Sequence, residues 1–183
     1  MDSGNIGFVL LCAAFVFVMT PGLAMFYGGL VRKKNVVNTM MTSIFIIGVG
    51  IVMWVLFGYS LSFAPSGNAF IGDFRWLGLE GVSLTEGYTD DASIPNMVFS
   101  AFQMMFAVIT PALITGAVAG RMKFKSIFVF TIFWSLIVYY PLAHMVWGQG
   151  GLLGADGIGA LDFAGGDVVH ISSCLLYTSP SPR

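Results

Sequence analysis

The stretch SGNIGFVLLCAAFVFVMTPGLAMFYGGLV, residues 3–31, contains no charged side chain and decides the fold class. A helix needs about 20 apolar residues to cross the roughly 30 Å hydrocarbon core of a bilayer, so this stretch is long enough to span a membrane. Further charge-free stretches follow at 35–72, 92–120 and 126–155. The chain therefore belongs in a bilayer, as a polytopic all-α protein.

The composition of the whole chain leads to the same class. Hydrophobic residues make up 57% of the chain and charged residues only 9%, with a net charge of −1, whereas about a quarter of the residues in soluble domains are charged. These values exclude soluble enzymes, disulfide-stapled secreted domains and nucleic-acid binders, which need a basic patch. We predict membrane spans at about 6–31, 36–64, 95–120 and 126–147, and a fifth helix that starts near 166.

The basic residues are distributed unevenly among the connections between spans. The first and third connections hold Arg32, Lys33, Lys34, Arg121, Lys123 and Lys125. The second connection, 65–93, holds only Arg75, and Arg183 ends the chain. Because basic residues mark cytoplasmic loops, we expect the N-terminus to lie outside the cell and the protein to be a multi-pass component of the plasma membrane. The acidic start Met1-Asp2-Ser3 favours a retained first helix over a cleaved signal peptide.

Small residues and prolines inside the spans indicate a bundle of many helices. Glycines such as Gly48 and Gly50 allow helices to approach closely. Prolines at 21, 111 and 141 are tolerated in a membrane because neighbouring helices can satisfy the carbonyls that they free. Cys12 and Cys174 have no paired spacing, so we expect neither a disulfide nor a metal or other cofactor.

Two polar residues lie where the fifth helix would begin. If that helix starts near Gly165, the imidazole of His170 lies about 7–8 Å into the membrane at roughly 1.5 Å per residue. It could bond a substrate, relay a proton, ligate a metal or bond a neighbouring helix, and these alternatives stay open. Asp162 could cap the helix or order a cation site at the outer mouth, and both roles can hold together.

Three aromatic residues are candidates for a path through the bundle. Phe102 and Phe106 stand four apart on one face of span three, where they could gate a narrow path or simply pack. Trp147 ends span four, where an interfacial tryptophan is expected, and its indole is also the best cation–π surface among the side chains. His144 lies one turn earlier, and the sequence assigns it no role.

Four separate segments closely resemble the ammonium transporter family (Amt/Mep/Rh). They are FVMTPGLAMFYGGLVRKKNVVNTMM at 17–41, FQMMFAVITPALITGAVAGRMKF at 102–124, YYPLAHMVWGQGG at 139–151 and LDFAGGDVVHIS at 161–172. The resemblance implies a homotrimer of eleven-helix protomers, each with its own narrow hydrophobic pore between two halves of inverted topology. Residues 1–172 would then be the N-terminal part of that domain.

The resemblance also implies roles for individual residues. Trp147 would belong to an outer aromatic site for ammonium, and Phe102 and Phe106 to that site and to the phenyl gate beneath it. His170 would be the first of two paired pore histidines, and Asp162 would organise the recruitment site. Ammonium would lose a proton at or below the aromatic site, because a hydrophobic pore makes transit of the intact cation very costly, and ammonia would pass along His170.

Three features depart from the family pattern. The second half, with the partner histidine, is missing. The tail 173–183 reads SCLLYTSPSPR and predicts a truncated or out-of-frame end, so we expect this half alone to be an inactive fragment. Asp167 lies three residues before His170, where the family more often has a small or uncharged residue. In an α-helix the carboxylate would share a face with the imidazole, and an orientation toward the outer vestibule is equally open.

Two other classes of function are alternatives to transport, a sensor and an enzyme. An ammonium sensor would use the same outer site to signal to cytoplasmic partners, and family members are commonly regulated by a PII-type signalling protein. An intramembrane metalloenzyme built on His144, Asp162 and His170 is disfavoured, because no span contains an H-E-x-x-H motif or an activated nucleophile. The sequence therefore predicts a transporter and not an enzyme.

Overall fold

The computed structural model describes residues 1–65, 68–155 and 157–174, and within these ranges it is all-helical, with no strand. The α-helices are α1 (Ser3–Leu30), α2 (Val36–Met53), α3 (Tyr59–Phe63), α4 (Asn96–Val118), α5 (Phe124–Trp134) and α6 (Tyr140–Trp147). Short 3₁₀ turns occupy Lys33–Asn35 and Leu77–Leu79. The predicted all-α class is confirmed.

The described ranges contain three π-helical turns, two of which lie within continuous helices. Trp54–Gly58 joins α2 to α3, and Ser135–Tyr139 joins α5 to α6, so each pair forms one continuous helix. The third π turn, Gly166–Ile171, starts where the fifth helix was predicted. Of the predicted tail, residues 175–183 lie outside the described part of the chain.

Within the described ranges, four helical units are long and apolar enough to cross a membrane. They are Ser3–Leu30, Lys33–Phe63, Asn96–Val118 and Phe124–Trp147. Pro21 and Pro111 lie inside α1 and α4 without ending either helix. The units have the order and approximate lengths that the charge-free stretches predict.

The spans pack through α4, which contacts both α1 and α2. The hydroxyl groups of Ser43 and Thr115 form a buried hydrogen bond of 3.0 Å between α2 and α4. A Cβ atom on Gly50 would lie 3.1 Å from the Val108 side chain, so this glycine permits the close approach of the same two helices. Among the described residues no atom lies within 4 Å of a Cβ on Gly48, so this glycine brings no two of these spans together.

An aromatic cluster fills the end of the bundle where the 65–93 connection lies. Trp54, Tyr59, Phe63 and Tyr140 are almost completely buried there. Trp76, from the connection itself, stacks on Tyr59 with ring centroids 5.4 Å apart. The connection is irregular, as predicted, but it packs on the bundle and supplies core rings.

Candidate functional site

One open cavity of about 580 Å³ lies at the same end of the bundle as the aromatic cluster. Its lining residues come from the 65–93 connection, α4, the end of α6 and the segment before the last π turn. They are Tyr88, Phe99, Phe102, Gln103, Phe106, Trp147, Asp162, Phe163, Ala164 and Gly165. Four of the five residues that the sequence singled out, Phe102, Phe106, Trp147 and Asp162, are thus brought together.

Helix α4 supplies one wall of the cavity. Phe99, Phe102, Gln103 and Phe106 follow the i, i+3, i+4, i+7 spacing of a single helix face. The rings of Phe102 and Phe106 meet edge to face, with centroids 5.0 Å apart and an interplanar angle of 87°. Phe106 also lies 6.5 Å from the Trp147 ring, centroid to centroid. The wall is therefore mainly aromatic, with the amide side chain of Gln103 among the rings.

Trp147 ends α6 and faces this wall. Its indole Nε1–H donates a 3.3 Å hydrogen bond to the backbone carbonyl of Asp162. The bond ties the indole to the segment that closes the cavity, so one edge of the ring is fixed. Its π face is the part of the group that can attract a cation.

Asp162 caps the final helical segment with its carboxylate. Oδ1 accepts a 2.7 Å hydrogen bond from the Gly166 N–H, and Oδ2 accepts bonds of 3.0 Å from the Asp167 and Val168 N–H groups. These are the donors that a helix start leaves without an intrahelical partner. The capping role that the sequence allowed is therefore present, and the same residue places a negative charge beside the cavity.

His170 is not among the residues that line this cavity. It lies in the π turn Gly166–Ile171, where its backbone N–H donates to the Gly165 carbonyl at 2.9 Å, and its side chain is exposed. His170 therefore lies beyond the cavity, several residues further along the chain than the lining segment that ends at Gly165.

No ion pair joins Asp167 to His170 in the described part of the chain, although an α-helix would have placed both side chains on one face. The reason lies in the local helix type. The segment is π-helical and follows i→i+5 hydrogen bonding, so residues three apart are not stacked on one face as they are in an α-helix.

Tyr88 is a cavity residue that the sequence analysis missed. Its ring stacks on Phe99, with centroids 4.8 Å apart and an interplanar angle of 7°. Its hydroxyl oxygen accepts a 3.1 Å hydrogen bond from the Gln149 N–H, and its carbonyl accepts one of 3.0 Å from the Gln149 side chain. Burial raises the pKa of Tyr88 to about 12. Helical spacing could have identified Phe99, but no local signal marks Tyr88 within an irregular connection.

His144, which the sequence left without a role, is completely buried. Its Nδ1 lies 3.1 Å from the Ser62 carbonyl oxygen, and its Nε2 lies 2.9 Å from the Asn68 carbonyl oxygen. The imidazole therefore joins α6, one turn before Trp147, to the end of α3 and to the connection that follows it.

The remaining charges near this end lie on the surface. Arg75 and Asp73 form an exposed ion pair of 2.8 Å, and the hydrogen bond from the Arg75 side chain lowers the pKa of Asp73. Among residues 1–65, 68–155 and 157–174, no three His, Cys, Asp or Glu side chains come together as metal ligands. The site combines an aromatic wall with one carboxylate, which suits a small cation.

A family profile and the sequences of known proteins both point to one family. The sequence profile described as Ammonium Transporter Family matches residues 7–176. The chain is 52% identical over 173 residues to the ammonium transporter of Bacillus subtilis (strain 168), covering 94% of this chain and 42% of that protein.

Solved structures show the same architecture. The crystal structure of Saccharomyces cerevisiae Mep2 aligns with a TM-score of 0.84 and 36% identity, over 94% of this chain and 40% of that chain. A structure named Sensor Amt Protein aligns with a TM-score of 0.76 and 27% identity, over 91% of this chain and 40% of that one. The chain thus spans about two fifths of the length of the proteins that it matches.

Proposed function

We propose, from the premise that this chain belongs to the ammonium transporter family, that it forms the first half of a protein that conducts ammonium or ammonia across the plasma membrane, with its N-terminus outside. The observation that carries the proposal is the cavity in which Phe102, Phe106 and Trp147 meet beside Asp162. A cation can be attracted there without a metal or a cofactor.

The first step is recruitment of ammonium to the aromatic wall. The face of Trp147 attracts the cation through its ring quadrupole, a contact worth about 0.5–2 kcal/mol depending on desolvation. The carboxylate of Asp162 adds a favourable field, although three backbone N–H groups already share its lone pairs. Asp162 therefore acts mainly as a positioning residue. Its carboxylate fixes the start of the Gly166–Ile171 turn, and its backbone carbonyl accepts the hydrogen bond that orients the Trp147 indole.

The second step is loss of a proton. Potassium and ammonium are similar in size, so pore width cannot separate them, but only ammonium can give up a proton and continue as a neutral molecule. The edge-to-face pair of Phe102 and Phe106 offers no polar atom to replace the hydration shell of a cation, so neutral ammonia passes more easily. His170, further along the last segment, accepts or donates hydrogen bonds to ammonia and helps to carry the separated proton.

The assembly and the partners follow from the family. The complete protein would be a homotrimer in the lipid bilayer, with a pore in each protomer, and a PII-type regulatory protein would act on its cytoplasmic face. Crosslinking of the purified protein followed by mass measurement tests the trimer, since a monomeric mass would contradict it.

Uptake of ¹⁵N-labelled ammonium by cells that lack their own ammonium uptake tests the site, with the protein that contains this chain expressed at equal levels. Trp147→Leu should raise the KM for ammonium by roughly 2- to 30-fold, the range that a lost cation–π contact implies. Trp147→Phe retains an aromatic face and should restore part of the affinity. Equal KM values in all three proteins would remove the tryptophan from the recruitment site.

The same assay tests the pore histidine. His170→Ala should alter or abolish conduction and leave the folded protein largely intact, because the side chain is exposed and not part of the core. An unchanged uptake rate in this variant would contradict the pore assignment.

A sensor that uses the same cavity is the second candidate. The likeness to the structure named Sensor Amt Protein raises it, although that likeness is weaker than the likeness to Mep2. Proteoliposomes distinguish the two functions. A transporter accumulates labelled ammonium in the lumen, whereas a sensor binds ammonium at the aromatic cavity with no flux. Loss of binding in Trp147→Leu without any measurable flux in the unmodified protein would favour the sensor.

A further inference from the structure

A small cavity lies between the start of α2 and the end of α4, at the opposite end of the bundle from the aromatic site. Its volume is about 10 Å³. Three threonines line it, Thr39 and Thr42 from α2 and Thr115 from α4, and all three are buried. Since both helices belong to membrane spans, this cavity brings hydroxyl groups together inside the bundle.

Two of the three hydroxyls already donate their hydrogen within their own helix. Thr42 Oγ1 donates to the Asn38 carbonyl at 2.7 Å, and Thr115 Oγ1 donates to the Ala112 carbonyl at 2.7 Å. Ser43 Oγ lies 3.0 Å from Thr115 Oγ1, and Ser43 is the donor of this bond because the Thr115 hydrogen is already used. A hydroxyl oxygen has two lone pairs, so Thr42 and Thr115 can each still accept a hydrogen bond.

The third hydroxyl, that of Thr39, still has its hydrogen to donate. Thr39 is 4% exposed, and its Oγ1 forms no hydrogen bond with any of the described residues. A buried hydroxyl without a partner costs free energy, so nearly all such groups in folded proteins are bonded to protein or to ordered water. The geometry therefore calls for an acceptor in the cavity beside Thr39.

The size and the polar groups of the cavity fit one water molecule. A water needs a cavity of about 10–15 Å³ and usually makes two to four hydrogen bonds when it is buried. The threonines offer one donor and two acceptors, which a water matches because it both accepts and donates. A cation is disfavoured, since the adjoining connections carry Arg121 and Lys123 and no acidic residue. An anion would find only the single donor of Thr39.

We propose that this cavity binds one structural water molecule, which accepts a hydrogen bond from Thr39 and donates to Thr42 and Thr115. The water joins α2 to α4 beside the Ser43–Thr115 bond, and it fixes the two spans at the end where the basic connections lie. The site does not depend on ammonium conduction, because none of these threonines lines the aromatic cavity.

The sign of the Tm change in Thr39→Val tests the site, because valine replaces the hydroxyl with a methyl group of similar size. The protein that contains this chain is unfolded by heat in detergent. Loss of the bond to water should lower Tm by about 1–4 °C, whereas replacement of a merely unpaired hydroxyl would raise Tm or leave it unchanged. Thr20→Val is the matched control and should not lower Tm, since Thr20 Oγ1 is buried without a partner among the described residues and lies outside this cavity.

X-ray radiolysis detects the water itself, because bound water splits into hydroxyl radicals that modify the side chains beside it. Ile127 lines the cavity and Ile114 does not, although both are buried, so we expect modification of Ile127 alone. Thr39→Val combined with Thr42→Val leaves the water one partner, below the usual minimum of two, and should abolish the modification of Ile127. Thr39→Ser keeps the hydroxyl and should keep the modification.

Three results would overturn the proposal. The first is a rise or no change in Tm in Thr39→Val, or an equal fall in the Thr20→Val control. The second is modification of Ile127 that persists in the double variant, since the radicals would then come from bulk solvent. The third needs no variant and so does not depend on folding of the double variant. It is a crystal structure of the unmodified protein that shows other ordered waters but none within about 3.0 Å of Thr39 Oγ1.

Discussion

The aromatic cavity is built differently from the open apolar groove between α2 and α5, which Met41, Phe45, Val52 and Phe128 line. The cavity is held in shape by hydrogen bonds between residues far apart in sequence, such as His144 to Ser62 and Trp147 to Asp162. The groove obtains its shape from two helices whose side chains meet only through apolar contacts, such as Phe45 on Phe124. The proposed cation site needs walls that are fixed in this way, because the face of Trp147 must keep its orientation, and apolar contacts alone would not hold it.

The largest expected effect comes from breaking the buried contact behind the cavity. His144→Ala removes the imidazole that lies between the Ser62 and Asn68 carbonyl oxygens, one of which a neutral ring can serve as donor, and opens a void, so the free energy of unfolding should fall by about 3–5 kcal/mol. Thermal unfolding measures the loss, which should lower Tm by roughly 6–20 °C at 2–4 °C per kcal/mol. His170→Ala is the control, because that exposed histidine should change stability by less than about 0.5 kcal/mol. Equal Tm shifts in the two variants would show that the contacts of His144 do not stabilise the end of the bundle where the cavity lies.

Asp162 and Asp73, one capping a helix and one in a surface ion pair, offer a second matched pair of variants. Asp162→Ala removes an acceptor of three backbone N–H groups and should cost about 2 kcal/mol. Asp73→Ala removes only an exposed pair with Arg75 and should cost about 0.5 kcal/mol or less. Thermal unfolding of both variants under one condition checks the difference, and a larger loss for Asp73→Ala would contradict the capping role.

Tyr88 tests how firmly the connection is attached to the cavity. Tyr88→Phe removes the acceptor of the Gln149 N–H and should cost about 1 kcal/mol at neutral pH. Because burial raises the pKa of Tyr88 from 10.0 to about 12, its neutral form stabilises the fold below pH 10, and this contribution is lost as the pH rises through about 12. The stability advantage of wild type should therefore shrink above about pH 10 and reverse in sign before pH 12, because a shift of two pKa units corresponds to roughly 2.7 kcal/mol, and melting curves across that range check this.

The smallest effect is expected at the Asp73–Arg75 pair. The lowered pKa of Asp73 adds stability above its ordinary value of 3.8, and this addition disappears as the pH falls through the lower value of the folded protein. Arg75→Gln should therefore reduce stability slightly at neutral pH, by about 0.5 kcal/mol or less, and not at all in strong acid. A constant difference across the acid range would mean that the pair is not responsible.

Much of the fold could be predicted because it depends on features that extend over many residues. The spans were predicted because each charge-free stretch, as a helix, is long enough to cross the hydrocarbon core of a bilayer. The spacing of four residues between Phe102 and Phe106 predicted that both rings lie on one helix face. The path of the 65–93 connection could not be predicted, since Tyr88 reaches the cavity through contacts with residues distant in sequence. Whether Asp167 and His170 share a face could not be predicted, because the segment forms a π turn where the spacing argument requires an α-helix.

The two matching π turns, Trp54–Gly58 and Ser135–Tyr139, constrain how these spans can be recombined with others. Each turn inserts one residue into its helix and so rotates everything beyond it by about 100°. Gly58 and Tyr140 meet across the two helices at the far ends of these turns, so the insertions are fitted to each other. A chimera that exchanges one span with a regular α-helix of equal length would present the wrong side chains to its neighbour, and crossover points should keep both turns from the same parent.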